Sequence, residues 1–206
     1  MNKVLLKSRL MTGAEAGTIF IVRNKGAQRW LKPISLQNDA VRIGSNDFIV
    51  PITTKSIAGF VASSGEIVRI HDVYNIPSGK PYSFNPDNEL ANYHTMSVLC
   101  FPLKNYQDQV IGVVQLINRR VPGDDKPARF TDQQIELVTP IANVLATHIE
   151  RTDMLENIRQ KNIRLRQRNR ELGDQRAQVI ALQAETEEAF LLSIQLLARA
   201  SEIHDE

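Results

Sequence analysis

Apolar residues near the middle of the chain fall into two almost unbroken runs, 97–103 and 110–117, separated by the polar stretch Lys-Asn-Tyr-Gln-Asp-Gln. So short a polar interval between two apolar runs turns the chain back on itself and predicts a β-hairpin. Both runs are continuous rather than alternating, and β-branched residues dominate the second. Each strand is therefore expected to be covered on both faces, in the middle of a sheet. Side chains two apart share a face, which groups Ile111, Val113, Gln115 and Ile117 on one side and Val110, Gly112, Val114 and Leu116 on the other. Gln115 is the odd member of its face. An unpaired amide there costs about 1–3 kcal/mol, so either a backbone group or a bound molecule must satisfy it.

Smaller elements surround this hairpin. The first residues predict a helix whose exit is bracketed by Gly13 and Gly17, then a strand over 16–22. After the turn Asn-Lys-Gly-Ala comes a second strand over 30–36, whose Pro33 requires an edge or a bulge. Residues 37–47 are polar and read as a connection, and 48–52 as a third strand. A helix is predicted over 56–66, with Ser56 near its start, Gly65 past its end, and Ala58, Gly59 and Ala62 leaving one side small enough for close approach. Residues 67–70 read as a fourth strand. The stretch 71–92 has no periodicity and is rich in Pro, Gly, Asn and Asp, with Tyr74, Tyr82 and Phe84 among them. A loop of that length is either a binding lid or a surface loop pinned by its aromatics. Beyond the loop 119–128, Ile135, Val138, Ile141, Ala142, Leu145 and Ile149 recur at spacings of three and four behind a cap at Thr131 or Asp132. The expected class is α+β, a central antiparallel sheet with helices packed on it.

Composition narrows the chemistry. At 206 residues and 42% hydrophobic, the chain can bury one full core with length left over. Its 25 basic and 23 acidic residues leave a net charge of +2, too small to draw it globally to nucleic acid or an anionic membrane. The single cysteine, Cys100, excludes a disulfide framework and a multi-cysteine metal site, and its place in an apolar strand reads as an inert core thiol. No apolar run is long enough to span a bilayer and the first residues lack a signal-peptide core, so the expected location is cytoplasmic. His71, His94 and His148 stand alone without metal-ligand spacing and read as surface or hydrogen-bonded residues rather than haem ligands. Neither a nucleophile motif nor a phosphate-binding glycine loop occurs, so no catalytic or metal-binding residue is assigned.

Five segments carry a family resemblance: Ser-Ile-Ala-Gly-Phe-Val-Ala-Ser-Ser-Gly-Glu at 56–66, Arg-Ile-His-Asp-Val-Tyr at 69–74, Tyr-Ser-Phe-Asn at 82–85, and the two halves of the hairpin, 93–105 and 110–118. Together they resemble a GAF domain, above all those of cyclic-nucleotide phosphodiesterases and bacterial regulators. The resemblance implies a sensory domain with a ligand enclosed between the sheet and a helix-and-loop layer. Carried over position by position, the pocket-lining residues are Ile57, Ala58, Tyr82 or Phe84, Thr95 and Gln115. Thr95 and Gln115 are polar groups beside apolar runs, suited to reading a base or small polar ligand, while a loop aromatic stacks on a ring. The implied ligand is a cyclic nucleotide or another small molecule, and no cofactor is fixed. The cyclic-nucleotide version carries an Asn-Lys, Phe, Asp-Glu signature. Here Asn118 is followed by Arg119, Phe130 is retained, and Gln134 and Ile135 take the last two positions, so the Lys–Asp salt bridge of that signature is lost. Methionine sulfoxide reduction by a GAF-type enzyme needs several cysteines, and bilin attachment usually has a histidine after its cysteine, where Phe101 follows Cys100 here.

The last quarter of the chain is an extension. Residues 148–184 are charged and Gln-rich without proline, and Ile158, Leu165, Leu172 and Val179 share one heptad position, which predicts a coiled-coil seam. Its companion position holds Leu155, then Asn162, Asn169 and Arg176, which set register and partner number at a cost in stability. The Arg-rich run 159–170 reads as a solvated helix face, and nucleic acid is not expected as a partner. Residues 190–197 are apolar nearly all round, and the terminal segment with its acidic pair Asp205 and Glu206 resembles the opening helix of an HD-GYP phosphohydrolase domain. Glu202, His204, Asp205 and Glu206 are too few for a metal site, so the chain by itself is not expected to be an enzyme. The expected domains are a sensory domain over 1–149, a coiled-coil signalling helix over 150–184 and the start of an output domain over 185–206. The parent protein is then a bacterial cyclic di-GMP phosphodiesterase under GAF control. The alternatives are a histidine kinase sensor, whose dimerisation motif is absent, a transcription activator, or a dimerisation scaffold with a self-filled pocket. A parallel homodimer through the first helix, the helix from Phe130 onward and the coiled coil is expected, with a small-molecule effector and no membrane.

Overall fold

The computed structural model describes residues 1–41, 48–86, 93–124 and 126–204, with the side chains of Lys25 and of residues 197–204 outside the description. Parts of the connection 37–47 and of the loop 71–92, Leu197 as a side chain, and the pair Asp205 and Glu206 therefore lie outside the described residues. In order come α1 (Asn2–Thr12), β1 (Ala14–Lys25), β2 (Gln28–Asn38), β3 (Val50–Pro51), α2 (Ile57–Ser64), β4 (Val68–Ile70), a 3-10 turn (Val73–Asn75), β5 (Val98–Lys104), β6 (Val110–Arg119) and α3 (Asp132–His204). The chain divides into two units, Met1–Thr152 and Asp153–Glu206.

The strands form one antiparallel sheet in the order β3-β2-β1-β6-β5-β4, which sets the predicted hairpin β5–β6 in the interior. Both faces are covered, as continuous apolar strands require. On one face Leu99, Phe101, Leu103, Val114 and Leu116 meet Leu5 of α1 and Val138, Ala142, Leu145 and Ile149 of α3. On the other, Phe20, Val98, Cys100 and Val113 meet Ile57, Ala58, Val61 and Ala62 of α2. The expected face of Ile111 is corrected. Gly112 opposes Leu103 and Val110 opposes Lys104, so Ile111 is the extra residue of a bulge that reverses the alternation. Ile111 accordingly packs on the α1/α3 side and Val110 on the α2 side.

Two glycines near the start play different parts from the pair of stops expected of them. Gly13 alone ends α1, in the left-handed conformation (φ 71°), its N–H bonded to Arg9 O. Gly17 lies within β1, where a Cβ would come within 3.0 Å of Leu5 Cδ1 and 3.1 Å of Leu116 Cδ2, so its bareness lets α1 pack close to the sheet. Pro33 sits at a bulge, where Phe20 opposes Pro33 and Ile19 opposes Ser35, leaving Ile34 extra. The third strand is shorter than the predicted 48–52 and pairs only Val50 and Pro51 with Leu31 and Trp30. The close approach predicted for α2 is made by the chain's own backbone: a Cβ on Gly59 would lie 2.5 Å from Thr53 O and 2.7 Å from Pro51 O.

One side chain ties the sheet's ends together. Asn118, buried at the end of β6, adopts a left-handed backbone (φ 55°). Its Oδ1 accepts from Met96 N (2.7 Å) and Ser97 N (3.3 Å), and its Nδ2 reaches His94 O (2.7 Å), Tyr93 Oη (3.2 Å) and Glu15 Oε2 (3.3 Å). Glu15 is held in turn by Arg120 Nε (2.8 Å) and Nη2 (2.7 Å). The lead-in to β5, the start of β1 and the end of β6 thus meet on one amide. Burial, then the Glu15 carboxylate beside it, push the Tyr93 phenol well above its ordinary range.

Two stability outcomes follow. Gly59→Ala should cost about 1–3 kcal/mol, because two of the atoms it meets are backbone carbonyls that cannot swing aside and the third is the capping hydroxyl of Ser56. Asn118→Ala should cost about 3 kcal/mol by stranding buried N–H groups, and Asn118→Gly about 1 kcal/mol less because glycine carries no left-handed penalty. Urea denaturation of the three variants measures both, and equal losses for the alanine and glycine variants of Asn118 would remove the backbone part of the argument.

Candidate functional site

The site is built on the α2 face of the sheet. Ser56 opens α2 as its N-cap, its Oγ accepting from Gly59 N at 3.0 Å, and this cap sets Ile57 and Ala58 against the sheet. Both are buried in the same apolar cluster as Val61, Val98, Cys100 and Val113. Tyr82 and Phe84 are half-buried and pack on this cluster from the loop, which Ser83 fastens to the α2 lead-in through Oγ to Lys55 O (3.1 Å).

The loop aromatics lean on one another as well as on the core. Tyr82 lies 5.1 Å from Phe60, ring centre to ring centre, and Phe84 stands edge-on to Tyr74 at 5.3 Å. Tyr74 stacks on His94 at 4.7 Å, with its hydroxyl 3.1 Å from His94 Nδ1. Asp72 starts the 3-10 turn that carries Tyr74. Hydrogen bonds from Asn75 Nδ2 (2.6 Å) and Tyr74 N (2.9 Å) hold its carboxyl below its ordinary range. The segments 72–75, 82–84 and 93–96 are therefore one aromatic and hydrogen-bonded layer over the sheet.

On the same face of the sheet, Gln115 lies across from Thr18 of β1 on one side and Cys100 of β5 on the other, with Val68 beyond Cys100. Gln115 is half-buried and its amide makes no hydrogen bond among the described residues. The expected alternative, a backbone partner for this amide, is not what these residues supply. Thr18 is buried, and burial pushes the Cys100 thiol well above its ordinary range, which leaves it protonated and inert. Thr95 is buried on the lead-in to β5, between the two backbone groups that bond Asn118. The face offers the amide of Gln115 and the hydroxyl of Thr18 beside an apolar cluster. Polar groups so placed can pair with a polar edge.

Of the six residues expected at the site, Ile57, Ala58, Tyr82 and Phe84 come together in one cluster, Gln115 shares its face, and Thr95 is buried nearby in sequence to the Asn118 clasp. Thr18, Tyr74 and His94 were not foreseen. Thr18 carried the same signal as Gln115, a polar group within an apolar strand, whereas the Tyr74–His94 stack joins residues 20 apart in an aperiodic loop. The altered signature residues have other occupations. Arg119 Nη1 donates to Arg129 O at 3.1 Å, and Gln134 Oε1 accepts from Thr131 N (2.8 Å) and Oγ1 (2.7 Å), which makes Thr131 the cap of α3. A separate groove of about 640 Å³, lined by Leu6, Arg9, Gln37 and Asp39 among others, lies between α1 and the end of β2. Among the described residues no group of three His, Cys, Asp or Glu side chains could hold a metal ion, and no helix is long and apolar enough to cross a membrane.

Known proteins carry the same organisation. The chain is 26% identical over 165 residues to the cGMP-specific 3',5'-cyclic phosphodiesterase of Drosophila erecta, an alignment that takes in 75% of this chain and 14% of that enzyme. Its fold matches the GAF domain of a phosphoenolpyruvate-protein phosphotransferase from Coxiella burnetii with a TM-score of 0.59 at 13% identity, over 76% of this chain and 83% of that one. It also matches the second GAF domain of DevS from Mycobacterium smegmatis with a TM-score of 0.53 at 18% identity, over 76% and 95% of the two chains. The chain spans only about a seventh of the phosphodiesterase it matches. The GAF domain profile itself matches residues 1–149, and on that match this chain belongs to the GAF domain family.

Proposed function

We propose that this chain is the ligand-sensing front of a bacterial signalling protein, in which a small molecule held on the α2 face acts through a coiled coil on a C-terminal HD-GYP phosphohydrolase that cleaves cyclic di-GMP. The observation that carries the sensing part is Gln115: a half-buried amide without a hydrogen bond among the described residues, between Thr18 and Cys100 on the α2 face of the sheet. An amide so placed is satisfied at no further cost by a ligand that donates or accepts there. Ile57, Ala58, Tyr82, Phe84 and Thr95 form the remainder of the site. A cyclic nucleotide is one member of the ligand class, and the Drosophila relative's name supports it. The hydrogen bonds of Arg119 and Gln134 mean that its phosphate would have to be held differently from the family's salt-bridged form. A self-filled scaffold is the second reading, supported by the packing of Tyr82 on Phe60. The division into sensory domain 1–149, signalling helix 150–184 and output start 185–206 belongs to the same proposal. The exposed Phe190, Leu191, Leu192, Ile194 and Leu196 support the last part, since they need cover from further protein.

A parallel homodimer completes the proposal. Leu6 and Leu10, one turn apart on α1, and Val144 on α3 are exposed, as are Ile158, Leu165, Leu172 and Val179. Apolar residues so arranged are covered by a second copy of the same surface in a two-fold dimer.

Mass spectrometry of small molecules released by denaturing the purified chain identifies the ligand. Gln115→Leu should then weaken its binding at least about tenfold in calorimetry while folding stability stays within about 1 kcal/mol of the parent; unchanged affinity would refute the site. Light scattering at micromolar concentration should give twice the mass of one chain. Replacing Asn162 and Asn169 by Leu should tighten the association, since polar core layers cost stability. A monomeric mass for the parent chain would overturn the dimer.

A further inference from the structure

The run 159–170 holds six cations, Arg159, Lys161, Arg164, Arg166, Arg168 and Arg170, and not one carboxylate. All six are exposed on α3, and none takes part in an ion pair among the described residues. At 100° per residue they separate into two stripes, Arg159, Arg166 and Arg170 on one flank of the apolar seam and Lys161, Arg164 and Arg168 on the other. Glu156, Gln160, Gln167, Glu171 and Asp174 take the far side. The cations therefore border the line of Ile158 and Leu165, the line along which a second copy would pair.

This arrangement sets two tendencies against each other. Asn162 and Asn169 occupy successive core layers, and an asparagine both donates and accepts, so each layer is satisfied by its own copy only in a parallel, in-register pair. That register also brings Lys161 opposite Arg166 of the second copy, twice by symmetry, with Arg159 and Arg168 close by. Like charges there repel within a Debye length of about 10 Å at 0.1 M salt. Resting on the parallel homodimer proposed above, we infer that residues 158–170 form an anion-dependent clasp, in which a multivalent phosphate seats between the basic flanks of two helices and closes the seam. Five of the six cations are arginine, whose planar fork meets phosphate oxygens two at a time, and this favours a phosphate over a simple halide. The clasp makes the stretch of helix that follows the sensor responsive to a second chemical input.

The test uses the full chain carrying Leu165→Cys, which places a thiol in the seam. Cys100 has no exposed surface and stays silent. In a glutathione redox buffer, inorganic tripolyphosphate should raise the initial rate of inter-chain disulfide formation at least about fivefold over sodium chloride of equal ionic strength. Adding Lys161→Glu turns the repulsive pair into an attractive one; that chain should cross-link fast without tripolyphosphate and gain little from it. No cross-linking under any condition would overturn the parallel pairing itself, and with it this clasp. Ready cross-linking that tripolyphosphate leaves unchanged, or that sodium chloride accelerates equally, would refute the clasp and leave the dimer standing. Acceleration by anionic lipid vesicles or single-stranded DNA, with no response to tripolyphosphate, would likewise refute it in favour of a macromolecular partner.

Discussion

The amide of Asn118 is the constraint on which the sensory unit depends. Three stretches with no continuous covalent path of useful length between them, the starts of β1 and β5 and the end of β6, are brought to one buried side chain. The ladders set the starts of β1 and β5 on either side of the end of β6, and the amide joins these margins a second time, since β5 and β1 do not pair with each other. The left-handed turn at this residue points the amide inward at the place where the strand ends, and asparagine is among the few side chains that accept such a backbone. Glu15 and Arg120 extend the network toward the surface, so a buried polar cluster that would be costly if half-satisfied is closed on every side.

That clasp also anchors the aromatic layer. His94 gives its carbonyl to Asn118 and its ring to Tyr74, and Tyr74 supports Phe84. The aromatic layer is thus anchored through its backbone at one end and stacked at the other. The ring contacts of this layer are each worth about 1 kcal/mol, so they part far more readily than a strand ladder.

Much of the fold was legible because its signals are local. The hairpin, the Ser56 cap, the Gly65 stop and the three-four spacing of Ile135 to Ile149 each report a period or a cap within a dozen residues, and each appears in the structure. What escaped depends on neighbours far along the chain. Ile111 changes face because Lys104 and Val110 pair across a bulge, and Gly17 makes room for Leu5 of α1 and Leu116 of β6 rather than ending a helix. The third strand pairs only at Val50 and Pro51, although its apolar run extends over 48–52. At the site, Gln115 was visible as a polar interruption of an apolar face, and Thr18 opposite it was equally visible once the partner strand was known. The ring stack of Tyr74 and His94 had no such signal, since a loop without period carries no rule for which of its aromatics will meet.

The brevity of β3 has a consequence for how the protein behaves in a crowd. Among the described residues it covers β2 only at Trp30 and Leu31, so the outer margin of β2 from Lys32 onward has no ladder partner there. A long bare margin is a template on which a foreign chain can add a strand. Here the displaced register at Ile34, beside Pro33, breaks the even spacing that an added strand would need, so this margin is a poor template for regular strand addition.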